Sequence, residues 1–308
     1  MENWNNKKLR LLVCGTGWSG SGAIIDWLRE FDGVGVVPGE FDDFRRSDMI
    51  GDIALGIKRD GLLGTTLVDR SPRLKRFRRA KSIIRFSKKL LTRVMGKHNK
   101  KVLSILEVFK AKKAFRIERK LLIAFYRNWQ EAESQEKTIE ITTRWIEDVS
   151  RNYGKSITVF DQPLEFDEGR HAILAFQVFA PAKFIFVIRD IDDQIANIMR
   201  DAPWYPAYLA KQFNYSGTDE KDFLSSIIRC RVRNMQNSVE KLGREVAMLV
   251  KFEEFVLQHE MTAGFLRDVF IGPLLGRQTR RLCYFDSLKS KQNIGNSLYR
   301  SAQPKTLI

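Results

Sequence analysis

A short apolar run followed by a glycine-rich turn constrains the fold of this chain more than any other feature. Residues 9–14 predict a buried parallel strand, and residues 15–22 contain four glycines and three hydroxyl side chains. Residues 23–29 then place apolar side chains at helical spacing. Backbone N–H groups of such a turn and the dipole of the following helix favour a negative charge, so the segment predicts a phosphate site. A glycine turn kept for packing alone is the alternative interpretation.

The turn matches neither of two common nucleotide-binding patterns. The nucleotide-triphosphatase loop, G-x-x-x-x-G-K-[ST], would align Gly15 and Gly20 but requires Lys where this chain has Ser21. The dinucleotide pattern requires a ribose-binding acid after a second strand, and none is clear here. The kind of phosphate therefore stays open, and Ser19 and Ser21 are predicted to add hydroxyl donors and to cap the helix.

Length and cysteine content bound the class of protein. A chain of 308 residues suggests one large domain, or a domain with a big insertion. No apolar run approaches the length needed to span a bilayer, and residues 1–8 are polar, which favours a cytoplasmic protein. Cys14, Cys230 and Cys283 have no metal or disulfide spacing and are interpreted as buried, reduced thiols.

The positive charge of the chain is concentrated in one segment. The net charge is +16, and residues 73–101 hold thirteen Lys or Arg and no acid. Residues 71–152 are predicted to form a helical insertion whose first helix is basic and amphipathic. Either an anionic partner, such as a membrane surface, or a solvated helix face would explain this concentration of charge. Nucleic acid is disfavoured, because neither zinc-finger spacing nor an aromatic ribonucleoprotein pattern is present.

Further strands are predicted at 33–38, 156–160, 184–188 and 245–250, which makes an α/β chain with a parallel sheet. Ligands of such sheets bind outside the carboxyl ends of the strands. Glu40 follows the second strand and is interpreted either as a general base or as a solvated loop carboxylate. Arg189 follows the buried strand 184–188 and could pair with a phosphate. Asn197 lies two helical turns further on.

The segments between these strands receive simpler interpretations. Residues 51–66 and 204–206 are predicted as loops, and residues 219–242 as a long polar helix that ends at Gly243. A helix is predicted at about 262–270. The polar C-terminal residues 287–308 read as a loop or tail, and disorder is the alternative.

Several segments, in order, resemble the sulfotransferase family that uses 3′-phosphoadenosine 5′-phosphosulfate (PAPS). The family's phosphosulfate loop, [KR]-S-G-T-[TS], is similar to residues 18–22, and its R-D-P-x-D-x-x-x-S segment is similar to residues 184–197. A later y-E-d strand end and F-L-G helix end resemble residues 250–255 and 269–272. The loop that closes over the nucleotide resembles residues 291–295. The match covers about two thirds of the chain and leaves out the basic insertion.

The resemblance implies a three-layer parallel sheet with a P-loop-like strand–turn–helix, a single domain over residues 1–308 and no metal. Backbone amides of the first loop bind the phosphosulfate in the family, while Arg and Ser of the second segment hold the 3′-phosphate. The residues to which nucleotide binding carries over are Gly17, Trp18, Ser19, Gly20, Ser21, Gly22, Arg189, Asn197, Lys291, Asn293 and Gly295.

The reaction implied by the resemblance is in-line sulfuryl transfer from PAPS to a hydroxyl group, with a glycan or glycolipid as the expected acceptor. Glu40 is the first candidate for the general base, and His171 and Asp161 follow. The basic segment suggests an enzyme peripheral to the inner face of a membrane.

Three positions depart from the family pattern. Trp18 stands where the family has Lys or Arg, Gly22 where it has a hydroxyl residue, and Asn197 where it has Ser. Either Arg45 or Arg46 would have to supply the missing charge, or the protein would bind the nucleotide poorly. Two alternatives therefore stay open, namely a P-loop kinase or nucleotide hydrolase with a degenerate loop, and a nucleotide-binding protein without catalytic activity.

Overall fold

The computed structural model describes residues 8–46, 49–56, 69, 71–76, 78, 99–165, 170–217, 219–279 and 284–295. Most of the basic run with His98, Cys283 and the tail 296–308 lie outside these residues. The strands are β1 (Leu9–Gly15), β2 (Val34–Glu40), β3 (Ile157–Asp161), β4 (Ala182–Ile188) and β5 (Ala247–Lys251). The α-helices are α1 (Ser21–Leu28), α2 (Asp42–Arg45), α3 (Ile50–Ala54), α4 (Asn99–Gln130), α5 (Gln135–Tyr153), α6 (Arg170–Val178), α7 (Ile191–Asp201), α8 (Tyr205–Gln212), α9 (Glu220–Leu242), α10 (Phe252–Leu257), α11 (His259–Phe265) and α12 (Ser287–Lys291).

The five strands form one sheet in the order β2-β3-β1-β4-β5. The β1–β3, β1–β4 and β4–β5 pairs are parallel, and Leu12 of β1 lies opposite Phe160 and Phe184. The predicted α/β class with a parallel sheet is therefore confirmed. Because β1 is the central strand, the glycine turn that follows it lies at the carboxyl edge of the sheet, between the ends of β3 and β4.

Both faces of β1 are buried. Leu11 and Val13 pack with Ile24 and Leu28 of α1 in one apolar cluster, while Leu12, which points to the opposite face, is also fully buried. A strand buried on both faces explains the continuous apolar run in the sequence.

The chain divides into two compact units. The first comprises Met1–Val36, Gly154–Phe176 and Ala180–Ile308, and it contains the glycine turn and four of the strand ends. The second comprises Val37–Tyr153 and Gln177–Phe179. In the second unit α5 packs against α4 and α3, and the ring of Trp145 stacks on Phe41 at 5.1 Å.

A buried carboxylate holds the C-terminal part of the first unit. Glu30 follows α1, and its side chain accepts hydrogen bonds from the backbone N–H groups of Tyr284 and Phe285, both at 3.0 Å. The Gln278 amide donates to the other Glu30 oxygen at 2.8 Å. These bonds fix the segment that leads into α12 and on to Asn293.

Several predicted loops are helical. Residues 204–206 were expected to form a loop, but α8 begins at Tyr205, because Pro206 in the first helical turn needs no amide partner. Residues 50–54 form α3, which overlaps the start of the predicted loop 51–66, and α12 occupies the start of the predicted tail. The helix expected at 262–270 begins earlier, as α11, and continues as a π-helix, Leu266–Ile271.

Candidate functional site

The glycine turn connects β1 to α1 and leaves amide groups without partners. The turn is closed by the Ser19 N–H, which donates to the Thr16 carbonyl at 2.9 Å. Among the described residues, the N–H groups of Gly20, Ser21 and Gly22 donate no hydrogen bond to the chain. The N-cap of α1 is Gly20, with no side-chain cap, so the prediction that a serine caps this helix is wrong. Three such amides at a helix N-terminus can bind an anion.

Two glycines of the turn are also required by packing. A Cβ on Gly20, which has φ 89°, would lie 2.1 Å from the ring of Phe252. A Cβ on Gly15 would lie 2.0 Å from the Ser19 hydroxyl oxygen. A Cβ on Gly22 would meet no atom within 4 Å. Packing therefore accounts for Gly15 and Gly20, but it does not account for Gly22 or for the unpartnered amides.

Two buried glutamines hold the turn, and the sequence analysis missed both. Gln162 follows β3, where its Oε1 accepts from the Gly15 N–H at 2.9 Å and its Nε2 donates to the Ser21 hydroxyl at 2.7 Å. Gln194 of α7 donates to the Thr16 hydroxyl at 2.6 Å and to the Gly17 carbonyl. The one available signal was position, since Gln162 stands directly after a strand that neighbours β1.

Arg189, at the end of β4, lies between the glycine turn and the C-terminal segment. Its Nη1 donates to the Trp18 carbonyl at 3.3 Å, and its Nη2 donates to the Asn293 carbonyl. The guanidinium carbon lies 5.0 Å from the centroid of the Phe252 ring, and its Nε lies 4.0 Å from a carboxylate oxygen of Glu253. The side chain is buried, and its Nε has no hydrogen-bond partner among the described residues.

The electrostatics around Arg189 are mixed. Burial lowers the pKa of its guanidinium, whereas the carboxylates of Asp193 and Glu253 act in the opposite direction. Arginine keeps its proton under ordinary conditions, so the site retains a buried guanidinium that faces these carboxylates and whose Nε makes no hydrogen bond to the described residues.

The C-terminal segment contacts α7 through backbone groups. The Gly295 N–H donates to Asp193 Oδ2 at 2.5 Å, while the Asp193 N–H itself donates to the capping side chain of Asp190 at 2.9 Å. Asn293 and Gly295, both predicted from the sequence, are therefore brought to Arg189 and Asp193. Lys291 is the last residue of α12 and is exposed.

The remaining predicted residues of the first unit lie on three different elements. Asn197 is buried in α7. Asp161 is the last residue of β3, and it lies opposite Val13 in the sheet and one residue before Gln162. His171 lies near the start of α6, and its side chain is outside the described part of the structure.

Glu40 belongs to the second unit, at the end of β2, and it lies among arginines. Its Oε2 accepts from Arg45 Nη2 at 2.7 Å and from Arg76 Nη2 at 3.3 Å. The buried Asp42 pairs with both of these arginines and with Arg46, whose Nε lies 3.2 Å from Asp42 Oδ1. Arg45 and Arg46 are thus engaged in ion pairs of this cluster, and the role of Glu40 as a base stays a prediction.

The described residues contain neither a metal-binding cluster nor a membrane-spanning helix. No group of three or more His, Cys, Asp or Glu side chains that could hold a metal ion was found there. In the same part of the chain, no helix is long and apolar enough to cross a membrane.

The chain aligns with two solved structures at low sequence identity. No protein-family model matches it, and no curated protein matches it. The sulfotransferase domain of the Synechococcus PCC 7002 olefin synthase aligns with a TM-score of 0.45 and 12% identity, covering 100% of this chain and 92% of that domain. The sulfotransferase domain of the curacin biosynthetic pathway aligns with a TM-score of 0.43 and 13% identity, covering 97% and 92%. Both of these solved structures are sulfotransferase domains.

Proposed function

We propose that this chain is a sulfotransferase that moves a sulfuryl group from PAPS to a hydroxyl of a glycan or glycolipid. The observation that carries the proposal is the position of Arg189, which donates hydrogen bonds to both Trp18 and Asn293. Three segments far apart in the sequence therefore meet at one side chain, and each of them resembles a nucleotide-binding segment of the same family.

The proposed donor carries two anionic groups, and the first unit offers two matching features. The unpartnered amides of Gly20, Ser21 and Gly22 would bind the 5′-phosphosulfate. The buried guanidinium of Arg189, whose Nε makes no hydrogen bond to the described residues, would bind the 3′-phosphate. The donor supplies the activated sulfuryl group, and the protein contributes position and charge stabilisation.

Transfer requires a base, because the acceptor oxygen must lose its proton as it bonds to sulfur. Glu40 is the first candidate, and Asp161 and His171 are the others. We expect Glu40→Gln to lower kcat by about 100-fold or more while leaving the affinity for the bisphosphate product unchanged. Asp161→Asn and His171→Gln, assayed in parallel, would reassign the role if one of them alone abolished turnover.

A second candidate function is nucleotide binding without catalysis, and Trp18 is the residue that favours it. An indole cannot neutralise the bridging oxygen of the donor as it leaves, and the two candidates for that role, Arg45 and Arg46, are engaged in ion pairs with Asp42. A P-loop kinase or hydrolase is the third candidate, and Ser21 at the position of the required Lys counts against it.

Calorimetry with adenosine 3′,5′-bisphosphate and with ATP·Mg²⁺ tests the proposal. We expect preference for the bisphosphate and a loss of about tenfold or more in Arg189→Lys, which keeps the charge but not the planar donor array. Arg200→Lys, an exposed arginine of α7, is the matched control. Preference for ATP would refute the proposal, and bisphosphate binding without turnover of labelled PAPS would favour the non-catalytic function.

The proposed location is the cytoplasm, at the inner face of a membrane, through the basic segment 73–101. Within that segment Arg73 is buried and paired with Glu118, whereas Lys75 and Arg76 are exposed. We expect sedimentation with anionic vesicles that weakens as salt is raised. No sedimentation at low salt would refute this part of the proposal.

A further inference from the structure

Four aromatic rings form a continuous surface that starts at the glycine turn. The ring of Trp18 lies 5.2 Å from that of Tyr205, measured between centroids. Trp204 contacts Tyr205 at 5.9 Å and Tyr208 at 6.2 Å, and the rings of Tyr205 and Tyr208 are nearly parallel. We call Trp18, Trp204, Tyr205 and Tyr208 the aromatic platform.

The platform reaches the backbone of the turn itself. A Cβ built on Gly17 would lie 3.4 Å from the hydroxyl oxygen of Tyr205, so this phenol stands directly against the turn. Trp18 and Tyr205 also pack on the apolar cluster that includes Ile195 and Leu209. The inner end of the platform is therefore anchored in the core, next to the proposed phosphosulfate site.

Trp18 adopts a backbone conformation that its residue type rarely takes. Its φ is 63°, in the left-handed region that favours glycine. A strained residue of this kind persists where its surroundings hold it, and such residues cluster at ligand sites. The bond from Arg189 to the Trp18 carbonyl holds the backbone, while the indole is directed onto Tyr205.

The outer end of the platform is open to solvent. Trp204 is 62% exposed and Tyr208 is 45% exposed. A purely apolar ligand is normally enclosed in a hydrophobic pocket, whereas this surface exposes the indole of Trp204 and the phenol of Tyr208 to water. A sugar ring matches it, because its C–H face can pack on an aromatic ring while its hydroxyls stay hydrated or bond to the phenols.

We infer that the aromatic platform binds a sugar ring of the acceptor and presents its hydroxyl to the glycine turn. The inference rests on the proposed function, because the sugar is an acceptor only if the chain transfers a sulfuryl group. The binding of a sugar to these rings can nevertheless be measured by itself. In this arrangement the aromatic platform binds the acceptor. The backbone amides of the glycine turn and Arg189 bind the donor.

Saturation-transfer NMR on the full chain, with chitotriose, maltotriose and 2-naphthol as probes, tests the inference. We expect transfer to ring protons of at least one trisaccharide, and about tenfold weaker binding in Trp204→Ala, a typical effect of losing one stacked ring. Trp204→Phe should retain most of the affinity, since it keeps a ring face. Phe265→Ala, an exposed aromatic outside the platform, is the matched control.

Trp18→Gly supplies a variant that cannot fail through backbone strain. Glycine accepts the left-handed φ, so weaker sugar binding by the folded Trp18→Gly variant would report the loss of the indole and not a distorted turn. Transfer to 2-naphthol alone, no transfer to either trisaccharide, or equal affinities in Trp204→Ala and Phe265→Ala would each overturn the inference. Sugar binding in a protein that does not bind the bisphosphate would refute the proposed function and leave the platform standing.

Discussion

Arg73 and Glu118 form an ion pair in which both side chains are fully buried. Arg73 Nη1 and Nη2 donate to the two carboxylate oxygens of Glu118 at 3.1 and 2.8 Å, and Nη2 also donates to the Pro38 carbonyl at 3.2 Å. The guanidinium carbon lies 4.8 Å from the centroid of the Phe41 ring. One side chain thus ties the residues around Glu40 to α4 within the second unit.

Breaking this pair on one side should be far more costly than replacing both partners. We expect Arg73→Met to lower the free energy of unfolding by about 3–5 kcal/mol, because Glu118 would remain charged and buried without a partner. The double variant with Glu118→Leu should recover most of that loss. Urea denaturation followed by circular dichroism measures both values.

The exposed pair of Arg144 and Glu140 provides the control. Both side chains are about half exposed, so Arg144→Met should change the free energy of unfolding by less than about 1 kcal/mol. Two results would contradict this prediction. One is an equal loss of the free energy of unfolding in Arg73→Met and Arg144→Met, and the other is a double variant no more stable than Arg73→Met.

Asp43 should make the stability of the protein fall as pH rises through the mildly acidic range. Burial raises the pKa of Asp43 from 3.8 to about 6, against the opposing effects of the Arg73 charge and of a hydrogen bond from Ser71, while Glu118 raises it further. At a pH between 3.8 and about 6, Asp43 is protonated in the folded state and ionised in the unfolded state. The free energy of unfolding is therefore greatest below pH 3.8, and it falls by up to about 3 kcal/mol as the pH rises to about 6.

Thermal unfolding of Asp43→Asn, measured from pH 4 to 7, tests this. The variant should lose this contribution to the pH dependence, because its amide is neutral throughout. Asp148→Asn, an exposed carboxylate of α5, serves as the control and should retain it. Identical pH profiles for the wild type and Asp43→Asn would show that Asp43 does not titrate in this range.

Gln194 should control nucleotide affinity without contacting the nucleotide. Its amide is buried and bonded to Thr16 and Gly17, so Gln194→Ala would release the first half of the turn. We expect about tenfold weaker binding of adenosine 3′,5′-bisphosphate, measured by calorimetry, and a larger loss in Gln194→Glu, because a carboxylate oxygen cannot donate to the Gly17 carbonyl and would be a buried charge. Gln236→Ala, an exposed glutamine of α9, should bind normally, and an equal loss there would refute the positioning role.

The fold was predictable where local pattern and burial coincide. The continuous apolar run of β1 and the glycines after it gave the strand, the turn and α1, and the end of β4 gave Arg189. The same reasoning could not identify Gln162 or Gln194, because no local sequence pattern marks a glutamine that binds a turn. Their hydrogen-bond partners Gly15 and Thr16 are 147 and 178 residues away in the sequence.

Three further features required the structure, because rules based on their residue types predict something else. Arg73 opens a run of positive charge, which suggests a solvated face, yet it is 1% exposed because Glu118 compensates its charge. Trp18 lies in the left-handed region, which a residue-based rule assigns to glycine. Pro206 suggested a loop at 204–206, although proline is also favoured in the first turn of a helix.

Alanine at Gly20 and at Gly22 should have opposite effects on stability. At Gly20 a methyl group would lie 2.1 Å from the Phe252 ring in a left-handed conformation, so Gly20→Ala should be destabilising by about 2 kcal/mol or more. At Gly22 the space is open and the residue is in the first turn of α1, so Gly22→Ala should stabilise the protein by about 0.5–1 kcal/mol. Differential scanning calorimetry of the two variants measures both changes. Gly20→Ala should also weaken bisphosphate binding, because it displaces Phe252 from its position beneath the guanidinium of Arg189. If the variant bound the bisphosphate as tightly as the wild type, the glycine turn would not be part of the anion site.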